Sequence, residues 1–288
     1  MNGILIINKP KDYTSRDVVN EVGKLLKTKQ IGHTGTLDPI ATGVLVLCVG
    51  KATKIAEIIT STEKEYIAEV MLGINTDTLD NTGRILFEEN IIFPKEKINE
   101  CLKTMVGCYE QEVPLYSAVK INGKKLYEYA RKNEKINLPK RMVEIKKIEM
   151  VDEPIYESGK TIFRMKCLVS KGTYIRSLIR DIAKKLNTVG IMTNLTRIKQ
   201  GDFLIENSYN LEQIKENKYQ LLKISDCLND MLQIVVDNAL QKKIKNGAVL
   251  KNIYNSDVVL FKNDMNEVLA VYKKSEKDNQ KIKPWKMF

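Results

Sequence analysis

Continuous apolar runs and stretches of alternating polarity mark the predicted strands in the first part of the chain. Gly3 to Asn8 is a short apolar run, and Gly43 to Gly50 is apolar without interruption, which is typical of a buried strand. Glu65 to Leu72 and Thr161 to Val169 alternate between apolar and polar residues, which predicts strands with one buried face. These four segments supply the strands of a predicted sheet.

Apolar positions with helical periodicity predict the helices between these strands. Thr14, with Asp17 three residues later, has the spacing of a capping box, and apolar residues between 18 and 26 follow with a helical period. Residues 51–60 and 94–106 are also predicted helices. A further helix begins near residue 174, and its apolar side is formed by Ile175, Leu178, Ile179, Ile182 and Leu186.

The pattern changes from about Asp226 onward. Short apolar runs alternate there with Asn, Gly and Lys, as expected for short strands joined by turns. We therefore expect two domains, one of residues 1–225 and a small β barrel of residues 226–288. The predicted strands of the second domain are Ile234 to Val236, Ala248 to Leu250, Val258 to Phe261 and Val268 to Tyr272.

The charge of the chain points to a polyanionic partner. Lys and Arg number 47 among the 288 residues and Asp and Glu 36, a net charge of +11. Residues 117–149 hold ten basic and four acidic residues, and Tyr127 and Tyr129 lie among them. A basic segment with aromatic residues suits an RNA backbone. A solvated helix face in a chain that is merely rich in Lys is the alternative, and charge alone does not separate the two.

Cysteine and histidine usage argues against a metal site. The five cysteines are scattered without a C-x-x-C pair, which predicts reduced thiols in a reducing cytosol. The chain has one histidine, which excludes most histidine-based metal sites.

No apolar run has the length of a membrane span, and the N-terminus lacks the pattern of a signal peptide. We expect a soluble, cytoplasmic protein that contacts no membrane.

The stretch from Gly32 to Gly43 holds the candidate chemistry. It contains the single histidine, His33, and an aspartate, Asp38, that precedes Pro39. Glycines let a ligand approach the backbone closely, whereas Pro39 fixes its own φ and favours an extended Asp38. The result is a stiff loop that holds one carboxylate. A tight turn in which Asp38 forms only local hydrogen bonds is the alternative.

This stretch resembles the defining motif of the TruB family, the tRNA pseudouridine-55 synthases: G-H-x-G-T-L-D-P-x-A-x-G-V-L. Every specified letter is present. Residues 111–120 resemble the family's Q-x-P-P-x-Y-S-A-x-K, with Val113 in place of the first proline. Residues 172–178 match G-T-Y-I-R-S-L, and residues 195–197 match L-x-R. The chain departs from the family at Asp12, where glycine is usual, and at Ile191, where histidine is common. The resemblance covers roughly residues 3–203.

The resemblance implies an isomerase that converts uridine 55 in the T loop of tRNA into pseudouridine. It identifies Asp38 as the nucleophile and Arg176 as its partner, which would keep a partly buried carboxylate ionised. Lys9 would support the loop that carries Asp38. The reaction leaves the redox state unchanged and transfers no group to a second molecule, so we expect neither cofactor nor metal.

The same resemblance assigns residues to a flipped uridine. Tyr66 and Tyr174 would stack on the base, Leu195 would pack against it, and His33 would contact the distorted RNA loop. Tyr66 is also a candidate for accepting the proton from carbon 5. That role would require a shifted pKa or an intervening water, because an ordinary tyrosine has a pKa near 10.

The fold that the family implies is α+β: a mixed, largely antiparallel sheet with flanking helices, followed by a small PUA-like RNA-binding domain. Residues 117–149 would form a mobile thumb that closes on the RNA. Two other functions stay open: a tRNA-folding chaperone without catalysis, and a synthase that depends on a guide RNA. The thumb favours a stand-alone enzyme of the bacterial type, which we expect to act as a monomer on the T stem-loop of tRNA without a protein partner.

Overall fold

The computed structural model describes residues 1–288. Its strands are, in chain order, β1 (Gly3–Lys9), β2 (Ile31–His33), β3 (Thr42–Val49), β4 (Lys64–Leu72), β5 (Ile74–Thr76), β6 (Ile85–Glu88), β7 (Gly107–Glu112), β8 (Lys120–Ile121), β9 (Lys124–Lys125), β10 (Lys140–Met150), β11 (Ile155–Glu157), β12 (Lys160–Val169), β13 (Gly190–Gln200), β14 (Phe203–Leu204), β15 (Leu232–Val235), β16 (Leu250–Lys251), β17 (Val258–Lys262), β18 (Val268–Lys274) and β19 (Lys281–Met287). Its α-helices are α1 (Ser15–Leu25), α2 (Ala56–Thr60), α3 (Lys95–Lys103), α4 (Leu126–Arg131), α5 (Ile175–Lys185), α6 (Leu211–Lys215) and α7 (Asn238–Lys245). All of these helices are too short or too polar to cross a membrane.

A sheet of ten strands forms the larger part of the molecule. Its main order is β1-β3-β13-β4-β12-β10-β7, with β2 beside β3, β11 beside β12 and β14 beside β13. The pairing is antiparallel except between β13 and β3, which run parallel. The predicted α+β fold with a mixed, largely antiparallel sheet is therefore confirmed.

The polarity patterns of the strands follow from what covers each face. On β1 and β3, Leu5 and Leu45 pack against α1, whereas Ile4 and Val44 face a second core that includes residues of the C-terminal sheet. Both faces are buried, which explains the uninterrupted apolar run of β3. Strand β4 alternates because only one of its faces packs into the core that contains α3 and α5.

The C-terminal region forms a second sheet, of five strands, that curls into a half-barrel. Its order is β15-β17-β18-β19-β16, with β15 parallel to β17. Leu260, Val271 and Trp285 pack into the core shared with β1 and β3, and Lys286 pairs with Glu57 at 2.8 Å. The small β unit was predicted, but helix α7 was not. The division of the chain at residue 226 stays a prediction, because the two sheets share a core.

Three segments differ from the predicted pattern. Residues 51–60 form a 3₁₀ turn, Gly50–Ile55, before the short helix α2. The loop after β4 contains the unpredicted hairpin β5–β6. The last third of the predicted thumb lies in β10, which pairs with β7 and β12, so the chain leaves the sheet only over residues 113–139. We call residues 113–139 the thumb below.

Candidate active site

A cleft of about 340 Å³ lies over the middle of the large sheet. The loop between β2 and β3 forms one wall, and the base of the thumb and the start of α5 form the other. Strands β4 and β13 contribute Tyr66, Leu195 and Arg197 from below. The cleft has the size of a small-molecule site.

Asp38 and Arg176 form a two-point ion pair in this cleft. The Nη2 of Arg176 donates to Oδ1 of Asp38 at 3.0 Å, and its Nε lies 2.9 Å from Oδ2. The Arg176 side chain is 5% exposed, whereas that of Asp38 is 34% exposed. The predicted pairing is therefore confirmed, and it fixes the plane of a carboxylate that remains open to the cleft.

Arg176 also ties the pair to two neighbouring segments. Its Nη1 donates to the Thr78 carbonyl at 2.9 Å, and its Nη2 to the Tyr116 carbonyl at the base of the thumb at 3.0 Å. The buried Asp80 lies 3.9 Å from Nη1. No role was predicted for Asp80 from the sequence. Arg176 thus joins Asp38, the β5–β6 region and the thumb.

Lys9 supports the loop from below. Its side chain is fully buried, and its Nζ donates to the carbonyls of Pro10 at 2.8 Å, Tyr13 at 2.5 Å and Pro39 at 3.2 Å. Burial lowers the pKa of Lys9 to about 8. Asp12 donates its N–H to the Pro39 carbonyl at 2.8 Å and has φ of +66°. That conformation favours glycine, which gives a reason for the glycine usual in the family at this position.

Arg197 holds the two ends of the same loop. It is 1% exposed, and it donates from Nε to the Val44 carbonyl at 2.7 Å and from Nη2 to the Gly35 carbonyl at 3.0 Å. Gly43 pairs with Arg197 in the parallel ladder, where it has φ of +98° and where a Cβ would overlap the Arg197 carbonyl oxygen. Glycine is therefore required at this position. Arg197 belongs to the L-x-R motif, but no role was predicted for it from the sequence.

The residues assigned to the base lie in the cleft with Asp38, whereas His33, assigned to the RNA loop, does not. Tyr66, Tyr174 and Leu195 line the cleft together with Asp38. Burial raises the pKa of Tyr66, and Arg197, its cross-strand partner, opposes that rise. Burial likewise raises the pKa of Tyr174. His33 lies on β2 outside the cleft lining, at the edge of the site.

The Nδ1 atom of the His33 ring is buried and has no hydrogen-bond partner. Burial lowers the pKa of His33, and the positive charges of Arg16 and Arg197 lower it further. The ring is therefore neutral at neutral pH and has a free polar atom beside the cleft.

Positive charge dominates the cleft. Asp38 is the one carboxylate among the lining residues, and the basic lining residues are Lys64, Arg141, Lys171, Arg176 and Arg197. Burial lowers the pKa of Lys64 to about 8, and Arg197 and Lys171 add to the effect. Such a cleft attracts a polyanion, and it presents a single carboxylate from one wall.

Comparison with known proteins gives one consistent match. The family model described as "TruB family pseudouridylate synthase (N terminal domain)" matches residues 23–175. The chain is 40% identical over 300 residues to "tRNA pseudouridine synthase B" of Bacillus anthracis, with 100% of this chain and 97% of that protein covered. It is 38% identical over 301 residues to the protein of the same name from Bacillus pumilus, with the same coverage.

Solved structures share the fold at lower identity. One, "Structure of H/ACA RNP bound to a substrate RNA containing 2'-deoxyuridine", superposes with a TM-score of 0.70 at 22% identity and covers 99% of this chain and 84% of that one. Another, "Crystal Structure of a Cbf5-Nop10-Gar1 Complex", has a TM-score of 0.70 at 24% identity and covers 99% and 83%. These likenesses support the α+β architecture described above.

Proposed function

The chain belongs to the TruB family of pseudouridylate synthases and is thus an isomerase, and we propose that it converts uridine 55 in the T loop of tRNA into pseudouridine. The observation that carries the proposal is the pair of Asp38 and Arg176. It presents one oriented carboxylate in a cleft that is otherwise positive and is lined by two tyrosines.

The reaction exchanges one bond for another within a single nucleotide. The bond between N1 of uracil and C1′ of ribose breaks, and a bond between C5 and C1′ forms. The proton on C5 leaves, and N1 ends with a proton, so atoms and electrons balance without an oxidant or a second substrate. An ionised carboxylate can form a covalent adduct and leave again. The same position of Asp38 serves attack on the sugar or on the uracil ring.

The surrounding residues prepare the carboxylate for this step. The two-point contact from the Arg176 guanidinium fixes the direction of the Asp38 carboxylate. Lys9 and Arg197 hold the loop on both sides of Asp38 through backbone carbonyls. Orientation fixed before the substrate binds supplies a large part of a rate enhancement.

The uridine must leave the folded T loop to reach Asp38, at a cost of about a few kcal/mol. Stacking on Tyr66 and Tyr174 and packing against Leu195 offset this cost. Because burial raises the pKa of Tyr66, its phenol stays protonated at neutral pH, which favours stacking over proton abstraction. His33 supports the distorted RNA loop at the edge of the cleft.

The proposed enzyme acts alone, as a cytoplasmic monomer, on the T stem-loop of tRNA. It uses no guide RNA, cofactor or metal. The thumb and the positive cleft hold the RNA, and the half-barrel of residues 232–287 is a further RNA-binding unit. Residues 1–225 form the catalytic domain of this scheme.

Release of tritium from tRNA labelled at carbon 5 of uridine tests the proposal. We expect the purified protein to release tritium from an unmodified transcript without added RNA or protein. A transcript with cytidine at position 55 is the matched control, and it should release none. Release from both transcripts would show that uridine 55 is not the target nucleotide. Release only with a guide RNA, or none despite tRNA binding, would overturn the proposal in favour of a guided synthase or a chaperone.

A further inference from the structure

A second positive surface lies outside the cleft, on helix α1. A groove of about 560 Å³ runs along α1 and the turn that leads into β2. Its basic residues are Arg16, Lys24, Lys27 and Lys29, and no carboxylate lines it. All four side chains are exposed, and none takes part in an ion pair. We call this surface the α1 groove.

Local structure does not account for these charges. Arg16 is in the first turn of α1, where a positive charge opposes the helix dipole. Lys27 has φ of +51°, a left-handed conformation that favours glycine or asparagine. Only Lys24, in the last turn, stabilises the helix by its charge. The charge of Arg16 thus opposes the dipole of its own helix, and an external anion beside the four exposed basic residues is the better explanation of it.

Strand β2 connects the α1 groove to the cleft. Ile31 at its start lines the groove, and Thr34 just after its end lines the cleft. A strand of three residues spans roughly 10 Å, so a few nucleotides can bridge the two sites. A side-chain hydrogen bond links α1 to the loop that carries Asp38, because the Ser15 hydroxyl accepts from the Leu37 N–H at 2.9 Å. The groove and this loop are therefore held next to each other.

The sheet order places the α1 groove and the thumb on opposite sides of the cleft. The thumb leaves the sheet between β7 and β10, at one end of the strand order. The groove adjoins β2, which pairs with β3 near the other end. An RNA loop with one nucleotide flipped into the cleft has two strands that lead away from it. The thumb and the groove thus offer one positive surface on each side of the cleft, one for each of these strands.

We propose that the α1 groove binds the phosphate backbone of the T stem-loop strand that leaves the cleft past His33. The inference rests on the proposed function for the identity of the RNA. The contact recognises the charge and spacing of phosphates rather than bases, because four of the nine residues that line the groove are basic and have flexible side chains. It would hold the RNA in register while the thumb closes from the opposite side.

The test compares two double variants that lose the same charge. Lys24→Gln with Lys27→Asn changes the groove, and asparagine tolerates the left-handed backbone at 27. Lys97→Gln with Lys103→Gln changes α3, which lies against the core of α5 rather than against α1. We expect the groove variant to bind an isolated T stem-loop about 10-fold more weakly, with the salt slope of log K reduced by about 1.4, or about 0.7 for each phosphate contact. Its rate at saturating RNA should stay within about twofold of the wild type.

Equal binding by the groove variant and the α3 variant would overturn the inference. So would a groove variant that binds the T stem-loop normally and full-length tRNA weakly, because the groove would then contact another part of the tRNA. Both measurements are of binding, so they remain decisive when no tritium is released. Absence of tritium release would count against the proposed function and not against the α1 groove.

Discussion

The centre of the sheet and the thumb use positive charge in opposite ways. At the centre, Lys9, Arg176 and Arg197 are at most 5% exposed, and most of their donors end on backbone carbonyls. In the thumb the basic side chains are largely exposed, and the local core has only three buried apolar residues, Val113, Leu126 and Tyr129. The buried cations at the centre fix the positions of backbone atoms, whereas the exposed cations of the thumb supply charge on a segment with a small core.

The difference separates two tasks of one RNA enzyme. A buried cation is costly unless hydrogen bonds replace its water, so its partners and its position are tightly constrained. An exposed cation costs little and contributes long-range attraction to a polyanion. Substitutions at the centre should therefore change kcat and stability, whereas substitutions in the thumb should change KM.

Arg176→Lys should reduce kcat more than the other substitutions of buried cations and of thumb residues. A single ammonium cannot make the two contacts to Asp38 and also reach the carbonyls of Thr78 and Tyr116. We expect kcat for tritium release to fall by about 100-fold or more, since small errors in orientation are costly. Arg141→Lys, an exposed residue of the same cleft, should change kcat by less than about threefold. Similar losses of kcat in both variants would mean that Arg176 does not act by orienting Asp38.

Arg197→Met should affect stability most strongly. It removes the donors to the buried carbonyl of Val44 and the partly buried carbonyl of Gly35, which costs about 2–5 kcal/mol of unfolding free energy in total. Denaturant unfolding of the variant measures this loss. Lys199→Met, on the same strand but with a half-buried side chain free of ion pairs, is the control, and we expect less than about 0.5 kcal/mol there. A small effect at Arg197 would mean that other contacts hold the loop.

Tyr129→Ala should act on the thumb alone. Tyr129 fills the small thumb core and donates to the Ile121 carbonyl at 3.0 Å, so its loss should unfold this segment locally. We expect KM to rise by about 10-fold, kcat to change little, and global unfolding free energy to change by less than about 1 kcal/mol. Hydrogen exchange should accelerate in residues 113–139. Tyr156→Ala, a half-exposed tyrosine outside the thumb, should leave exchange there unchanged.

Lys9 gives an effect on stability that depends on pH. Its pKa in the folded protein is about 8, below the value of 10.5 for an unhindered lysine, so the unfolded chain binds more protons between these values. Stability relative to Lys9→Met should therefore rise between about pH 8 and pH 10, by at most about 1.4 kcal/mol per pH unit. Comparing the two proteins cancels the buried cysteines, whose raised pKa values act in the opposite direction. A difference that falls or stays constant with pH would contradict the burial of a charged Lys9.

The strands that could be predicted from the sequence are those whose side chains are buried on one face or on both faces of the sheet. The continuous run of β3, the alternation of β4 and the capping box of α1 each reflect burial or local bonding. Hairpin β5–β6 was missed because its apolar residues, such as Phe87, are exposed and carry no pattern of burial. Helix α7 was missed because it is short and rich in lysine.

The candidate site divides in the same way. The pairing of Arg176 with Asp38 was predictable because both residues belong to motifs and carry opposite charges. The role of Arg197 was not, because its partners are carbonyls of Gly35 and Val44, and a backbone carbonyl leaves no signal in residue type. Asp80 reaches Arg176 only through a turn held by Thr78 and its neighbours, which no periodicity describes.

The central claim is that Asp38 performs the chemistry at a site that binds RNA independently of it. Single-turnover tritium release at saturating tRNA, with Asp38→Asn beside the wild type, tests it most directly. We expect release to fall by more than about 10⁴-fold while the dissociation constant for tRNA stays within about threefold, because asparagine keeps the shape and loses the nucleophile. Release by Asp38→Asn at a rate near that of the wild type would contradict the account.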